Sequence, residues 1–173
     1  VSVEGTTASF YVNGVDDGSV TSAEPSTWSG TRALGAREDG ASPFLGILDD
    51  VRIYNRALSS TTINQLYQAT AGSKVSTTQK GIDKGLIGHW TFDGLSYGLG
   101  EYEMIDSSGQ GNHGWQSGSP APIKGKIGQA LNLDGNDDYM QVASGLTSSL
   151  SGGTEVTLAG WFKGSLARSE EHT

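Results

Sequence analysis

The stretch GILDDVRIYNRALSSTTINQLY, residues 46–67, decides the fold class. Its first half alternates as a β-strand does, with Ile47, Asp49, Val51 and Ile53 on one face and Leu48, Asp50, Arg52 and Tyr54 on the other. That alternation sets Asp49 among apolar neighbours, where an unpaired carboxylate would cost several kcal/mol. Its second half changes period. Ser59 is a good N-cap, and Ile63, Leu66 and Tyr67 follow at helical spacing, which predicts one short amphipathic helix near residues 59–69.

Outward from this stretch the chain reads as strands and turns. Ala8, Phe10 and Val12 alternate with polar residues and run into Asn13-Gly14, a pair suited to the positive φ values of a tight hairpin. Further strands are expected at residues 31–37, 128–133, 139–142 and 155–163. In the last, Val156, Leu158 and Phe162 alternate with Thr157, Ala159 and Trp161. Leu86, Trp90 and Phe92 are expected to share a strand face. Residues 71–85 lose all periodicity and gather Gly, Ser, Thr and Lys, as a linker does. With 26 glycines among 173 residues and short alternating apolar stretches, the expected architecture is an all-β sandwich.

Composition excludes several functions. A formal charge of −8 leaves little positive surface for phosphates, so neither nucleic acid nor an anionic membrane is an expected partner. No apolar run approaches the roughly 20 residues that span a bilayer, so no membrane insertion is expected. The absence of cysteine removes disulfides and thiol ligands without fixing a compartment. The chain starts at Val1 inside a strand-like pattern with no initiator methionine or signal peptide, as a piece of a longer protein would. Residues 168–173, RSEEHT, are what AGA TCG GAA GAG CAC ACG encodes. That string resembles a sequencing adapter, and the tail 167–173 is set aside from the fold on this reading.

The pieces resemble the laminin G-like (LamG-like) jelly-roll modules of the concanavalin A-like lectin/glucanase superfamily. Residues 86–162 carry an opening pattern, GLIGHWTFDG, DSSGQGNHG, GKIGQALNLDGNDDYMQV and EVTLAGWFKG. Residues 2–67 carry a closing pattern, VEGTTASFYVNGV, LGAR and FLGILDDVRIYNRALSSTTINQLY. The closing pattern comes first. The resemblance therefore implies a tandem fragment: residues 1–70 as the C-terminal half of one module, 71–85 as linker, and 86–166 as the N-terminal half of the next. The strands that lie between these halves in the family are absent from both, so the jelly-roll sandwich is expected to be incomplete or permuted. One further departure is Thr62, which stands where the family's closing helix has a Glu that completes a capping box.

The resemblance also implies a structural calcium ion where the first strand, the following loop and the last strand meet, with Asp49, Asp93, Gly111 and Asn112 as ligands. Calcium takes six to eight oxygens, and such a site would compensate the burial of Asp49. The alternative makes Asp93 and Asp106 turn residues, and Asp49 and Asp50 a solvated pair at a sheet edge. Asp134, Asn136 and Asp138 mimic the start of an EF-hand loop, but Tyr139 stands where that loop needs glycine, and the segment reads as a turn.

No catalytic residues are identified. The alternating Glu-x-Asp-x-Glu strand of glycoside hydrolases on this sandwich is missing, Glu101 and Glu103 fall in a glycine-rich loop, and His89, His113 and His172 show no metal-ligand spacing. Trp28, Trp115, Tyr97 and Tyr102 sit in or beside loops, where an aromatic ring either stacks on a sugar or packs a sandwich rim. The implied function is a non-catalytic extracellular or cell-surface module that binds a glycan or a protein. Neighbouring LamG-like modules would lie in the same chain. The alternatives are an accessory module of a secreted glycan-degrading enzyme and a purely structural repeat.

Overall fold

A computed structural model describes residues 1–22, 32–37, 39–71, 81–94, 104–142 and 144–164. In chain order the elements are β1 (Ser2–Glu4), β2 (Thr7–Val12), β3 (Val15–Thr21), β4 (Arg32–Leu34), β5 (Leu45–Tyr54), α1 (Ser60–Ala71), β6 (Leu86–Trp90), β7 (Gly114–Ser117), β8 (Ala121–Lys124), β9 (Gln129–Asp134), β10 (Tyr139–Val142), α2 (Ser144–Leu150) and β11 (Glu155–Gly164). These strands pair antiparallel throughout, and they make two layers, as expected of a concanavalin A-like β-sandwich. One layer has eight strands in the order β3-β2-β1-β11-β5-β9-β8, with β6 also paired to β5, and the other has three in the order β4-β10-β7.

The two halves of the chain are interleaved. Strand β5 pairs along one side with β11 and along the other with β9 and then β6, while β1 pairs with β11 and β4 with β10. Between the layers, Val51, Ile53, Ile87, Trp90, Phe92, Leu131, Leu133, Met140 and Val142 form the main core. A second cluster, Tyr54, Leu58, Ile63, Leu66 and Ile82, lies under α1 on the opposite face of the large sheet. There the Tyr67 and Trp161 rings meet with centroids 5.6 Å apart.

Local signals explain much of this. Asn13 and Gly14 have φ of 52° and 77°, the pair of left-handed residues that turns β2 into β3. The Ser59 hydroxyl accepts from the Thr62 amide at 3.3 Å and contacts the Thr62 hydroxyl at 3.0 Å, so threonine supplies part of what a capping-box glutamate would.

The structure corrects three expectations. Strand β5 does not alternate throughout: Asp50 takes a φ of 48°, and the register with β11 shifts between Ala159 and Trp161. Asp50 is thus an extra residue, a β-bulge, that moves Asp49 to the face of Trp161 while Leu48, Val51 and Ile53 face the main core. A similar shift against Tyr54 sends Leu86 to the cluster under α1, away from Trp90 and Phe92. A second helix, α2, follows β10 and buries Leu146 and Leu150. Within the segment expected as linker, Ile82 is buried and Arg56 donates to the carbonyls of Lys84 and Gly81; residues 72–80 of that segment and the tail 167–173 lie outside the described residues.

Candidate functional site

Asp49 and Asp93 come from opposite halves of the chain and converge on the turn formed by residues 125–128. The Asp49 Oδ2 accepts the Ile127 amide at 2.9 Å, and the Asp93 Oδ1 accepts the Gln129 amide at 2.6 Å. Two glycines let the carboxylates approach this closely. A Cβ on Gly125 would collide with Asp49 Oδ2, and one on Gly128, whose φ is 56°, would collide with Asp93 Oδ1.

Asp49 is only 2% exposed, and its second oxygen, Oδ1, is buried without a hydrogen-bond partner. Burial pushes its carboxyl above the ordinary range, the amides of Ile127 and Lys126 pull the other way, and the nearby charges of Asp50 and Asp93 push it further up. Buried polar atoms are almost always satisfied, so this oxygen is an exception that a cation, a proton or a bound water would satisfy. Two carboxylates beside a backbone turn are a hard-oxygen donor set that fits calcium, with turn carbonyls and water to complete six to eight ligands.

Asn112 and Gly111 sit elsewhere. Their loop is organised around Asp106, whose oxygens accept from the amides of His89 at 2.9 Å, Ser108 at 2.8 Å and Asn112 at 2.9 Å. Burial alone would raise the Asp106 carboxyl, but these bonds and the Ser108 hydroxyl outweigh it and hold the group below its ordinary range. The Asn112 side chain donates to the Ile87 carbonyl at 2.6 Å, and its own backbone carbonyl accepts from the Trp90 indole at 3.2 Å. Gly111 is an exposed positive-φ residue. Asn112 bonds to Asp106, Ile87 and Trp90, and through these contacts the loop staples β6 in place.

A buried network went unseen in the sequence. The Asp50 carboxylate contacts His89 Nε2 at 2.6 Å and the Arg52 guanidinium at 3.2 Å. Asp49 and Asp50 are therefore not a solvated pair; both are buried, and they serve different neighbours. The i, i+2 spacing already put Asp50 and Arg52 on one strand face; His89, 39 residues away on β6, carried no local signal that tied it to them.

The turn at residues 134–138 behaves as turn chemistry predicts. Asp134 accepts from the Asn136 amide and side chain, and these bonds hold its carboxyl below the ordinary range. Asp138 accepts from the amides of Ser119 and Asp134. Asp134, Asp137 and Asp138 bring ligand atoms within 4.8 Å of one another, at an open pocket of about 380 Å³ also lined by Ser119, Ala121 and Asn132. Trp115 lies on β7, 38% exposed, with its indole donating to Gln141 on the neighbouring strand at 2.5 Å. Tyr97, Tyr102, Trp28, Glu101, Glu103 and His172 lie outside the described residues.

Among the described residues no helix is long and apolar enough to cross a membrane. Neither the curated proteins nor the solved structures contain a match to the chain. Residues 1–64 match the laminin G family model described as Concanavalin A-like lectin/glucanases superfamily. That family comprises lectin-like binding modules that are typically non-catalytic and commonly extracellular. The match over residues 1–64 supports a LamG-like module in that part of the chain, and the antiparallel sandwich described above is consistent with the concanavalin A-like fold.

Proposed function

We propose that the chain is a non-catalytic, calcium-stabilised binding module of an extracellular or cell-surface protein, with a glycan or an extracellular protein as its ligand. The observation that carries the calcium part is Asp49: a buried carboxylate with one orphaned oxygen, set beside a second carboxylate on a glycine-framed turn. An ion there would neutralise two acidic groups and tie β5, the segment after β6 and the turn before β9 into one unit. In a cysteine-free sandwich that linkage acts where a disulfide otherwise would. Asp49 and Asp93 are the proposed side-chain ligands; Asn112 and Gly111 would contribute only by shaping β6.

The order of the motifs supports a tandem arrangement, in which residues 1–70 close one LamG-like module and 86–166 open the next. Trp115 is the described aromatic best placed for a sugar, since a partly exposed indole beside an amide side chain offers both a stacking face and a polar edge. Binding of the purified chain to a glycan array and to immobilised extracellular-matrix proteins, in calcium and in chelator, tests the reading. Calcium-dependent binding to either class, weakened by Trp115→Ala for a glycan, is the expected result; no binding to any of them under either condition would reduce the module to a structural repeat.

A further inference from the structure

Asp50 decides where Asp49 points. Between Asp49, which registers with Trp161, and Arg52, which registers with Ala159, β5 has two residues where β11 has one. That one is Gly160. A Cβ on it would lie 3.1 Å from Val51 Cγ2 and 3.3 Å from Val51 Cα, so glycine makes room for the inserted residue. Without the insertion, alternation would send Asp49 to the side of Val51 and Ile53, into the main core. With it, Asp49 turns to the Trp161 face and reaches the Ile127 amide at 2.9 Å.

Side chains hold this bulge. Asp50 takes a φ of 48°, a left-handed conformation that is costly for a non-glycine residue and persists only where the surroundings enforce it. Its buried carboxylate is gripped from two sides, by the Arg52 guanidinium at 3.2 Å and by His89 Nε2 at 2.6 Å. Arg52 belongs to the same strand and moves with it, so the anchor outside β5 is His89 on β6. That residue is itself fixed: its amide donates to Asp106 at 2.9 Å and its carbonyl accepts from the Ser107 amide at 2.7 Å.

We infer that His89 is a positioning residue for the proposed calcium site, pinning the Asp50 bulge and through it the aim of Asp49. The effect on the ion rests on the calcium reading above; the pin itself does not. Asp93 stands outside the mechanism, since it accepts the Gln129 amide at 2.6 Å from the segment after β6 and has no part in the bulge. The two carboxylates at one turn therefore respond differently to loss of His89, and that difference separates positioning from general loosening. Charge separates a second pair of explanations. Removing His89 takes no negative charge from the site, so a purely electrostatic role would leave calcium binding unchanged or tighten it. A positioning role weakens it, by the roughly 10–100-fold typical of residues that orient metal ligands.

Amide hydrogen exchange in chelator, read at Ile127 and Gln129, tests the pin without the metal. In His89→Leu and His89→Ser, which cannot bond Asp50 from β6, Ile127 should lose at least about 10-fold of its protection while Gln129 keeps its own. His89→Gln, which still offers an N–H near the place of Nε2, should behave as the wild type. Calorimetric titration with calcium chloride reads the consequence: affinity should fall at least about 10-fold in His89→Leu and His89→Ser and recover in His89→Gln. Ile127 protection equal in all four proteins, or calcium affinity unchanged or tighter without His89, would overturn the inference. Loss of protection at Ile127 and Gln129 alike, or unfolding of both variants that lack the bond, would make His89 an ordinary structural residue and overturn it too. A wild type that binds no calcium while the exchange results are as expected would remove the calcium reading and leave the pin standing.

Discussion

Asp49 and Asp93, which flank α1 in the sequence, hold the two ends of one short turn: Asp49 takes the Ile127 amide at 2.9 Å and Asp93 the Gln129 amide at 2.6 Å. The first lies on β5 and the second in the segment after β6. Their meeting is how the two halves of the chain come to share one site.

The ion-free protein carries a cost at Asp49. Its pKa is raised in the folded state, so the native protein holds the proton more tightly than the unfolded chain. Stability from this group is fully present below the unfolded carboxylate pKa of about 4 and is lost as pH rises through the raised folded value. In chelator, Asp49→Asn should therefore stabilise the protein or leave it unchanged at neutral pH, and the same variant should lose the calcium response. Urea melts of both proteins at pH 4 and 7 check this; a loss of more than about 2 kcal/mol in chelator would mean that Asp49 is held by protein contacts alone.

Asp106 has the opposite sign. Its folded pKa is depressed, so its contribution is present above about pH 4 and is lost as pH falls through the folded value. Asp106→Ala strips acceptors from the amides of His89, Ser108 and Asn112 and should cost about 2–4 kcal/mol. Chemical denaturation across pH 2 to 7 measures it, with the variant's deficit shrinking toward the acid end.

Gly128→Ala places a methyl group against Asp93 at a backbone φ of 56°. A cost of about 1–3 kcal/mol is expected from the strain and the displaced carboxylate, together with weaker calcium binding. Gly109→Ala, at φ 84° with nothing within 4 Å, is the control that carries only the backbone strain. Thermal melts of the two variants, each with and without calcium, separate the contributions.

On the far face, Leu66→Ala should cost about 2–4 kcal/mol, since Leu66 is 5% exposed in the cluster beneath α1. Thermal unfolding that stays a single transition would show that both cores melt together, as the interleaving of β5 with β6, β9 and β11 requires.

Strands with clean alternation were legible from sequence. Residues 139–142 and 155–163 became β10 and β11 almost to the residue, and Asn13-Gly14 and Ser59 announced a hairpin and a helix start. The bulge at Asp50 was not legible, because a positive φ at a non-glycine residue is set by tertiary contacts, here His89 and Arg52. It changed the face of Asp49 without exposing it. Helix α2 was hidden by its glycine- and serine-rich sequence, SGLTSSL, whose local preference for turns is overridden by burial of Leu146 and Leu150.

Calcium titration of thermal stability bears most directly on the central claim. At a calcium concentration about 100 times the dissociation constant the gain is about 2.7 kcal/mol, a rise in melting temperature of about 5–10 °C for a domain of this size. The wild-type protein should show that rise and lose it on adding chelator, while Asp93→Asn should show neither. An identical melting temperature in saturating calcium and in chelator would contradict the account.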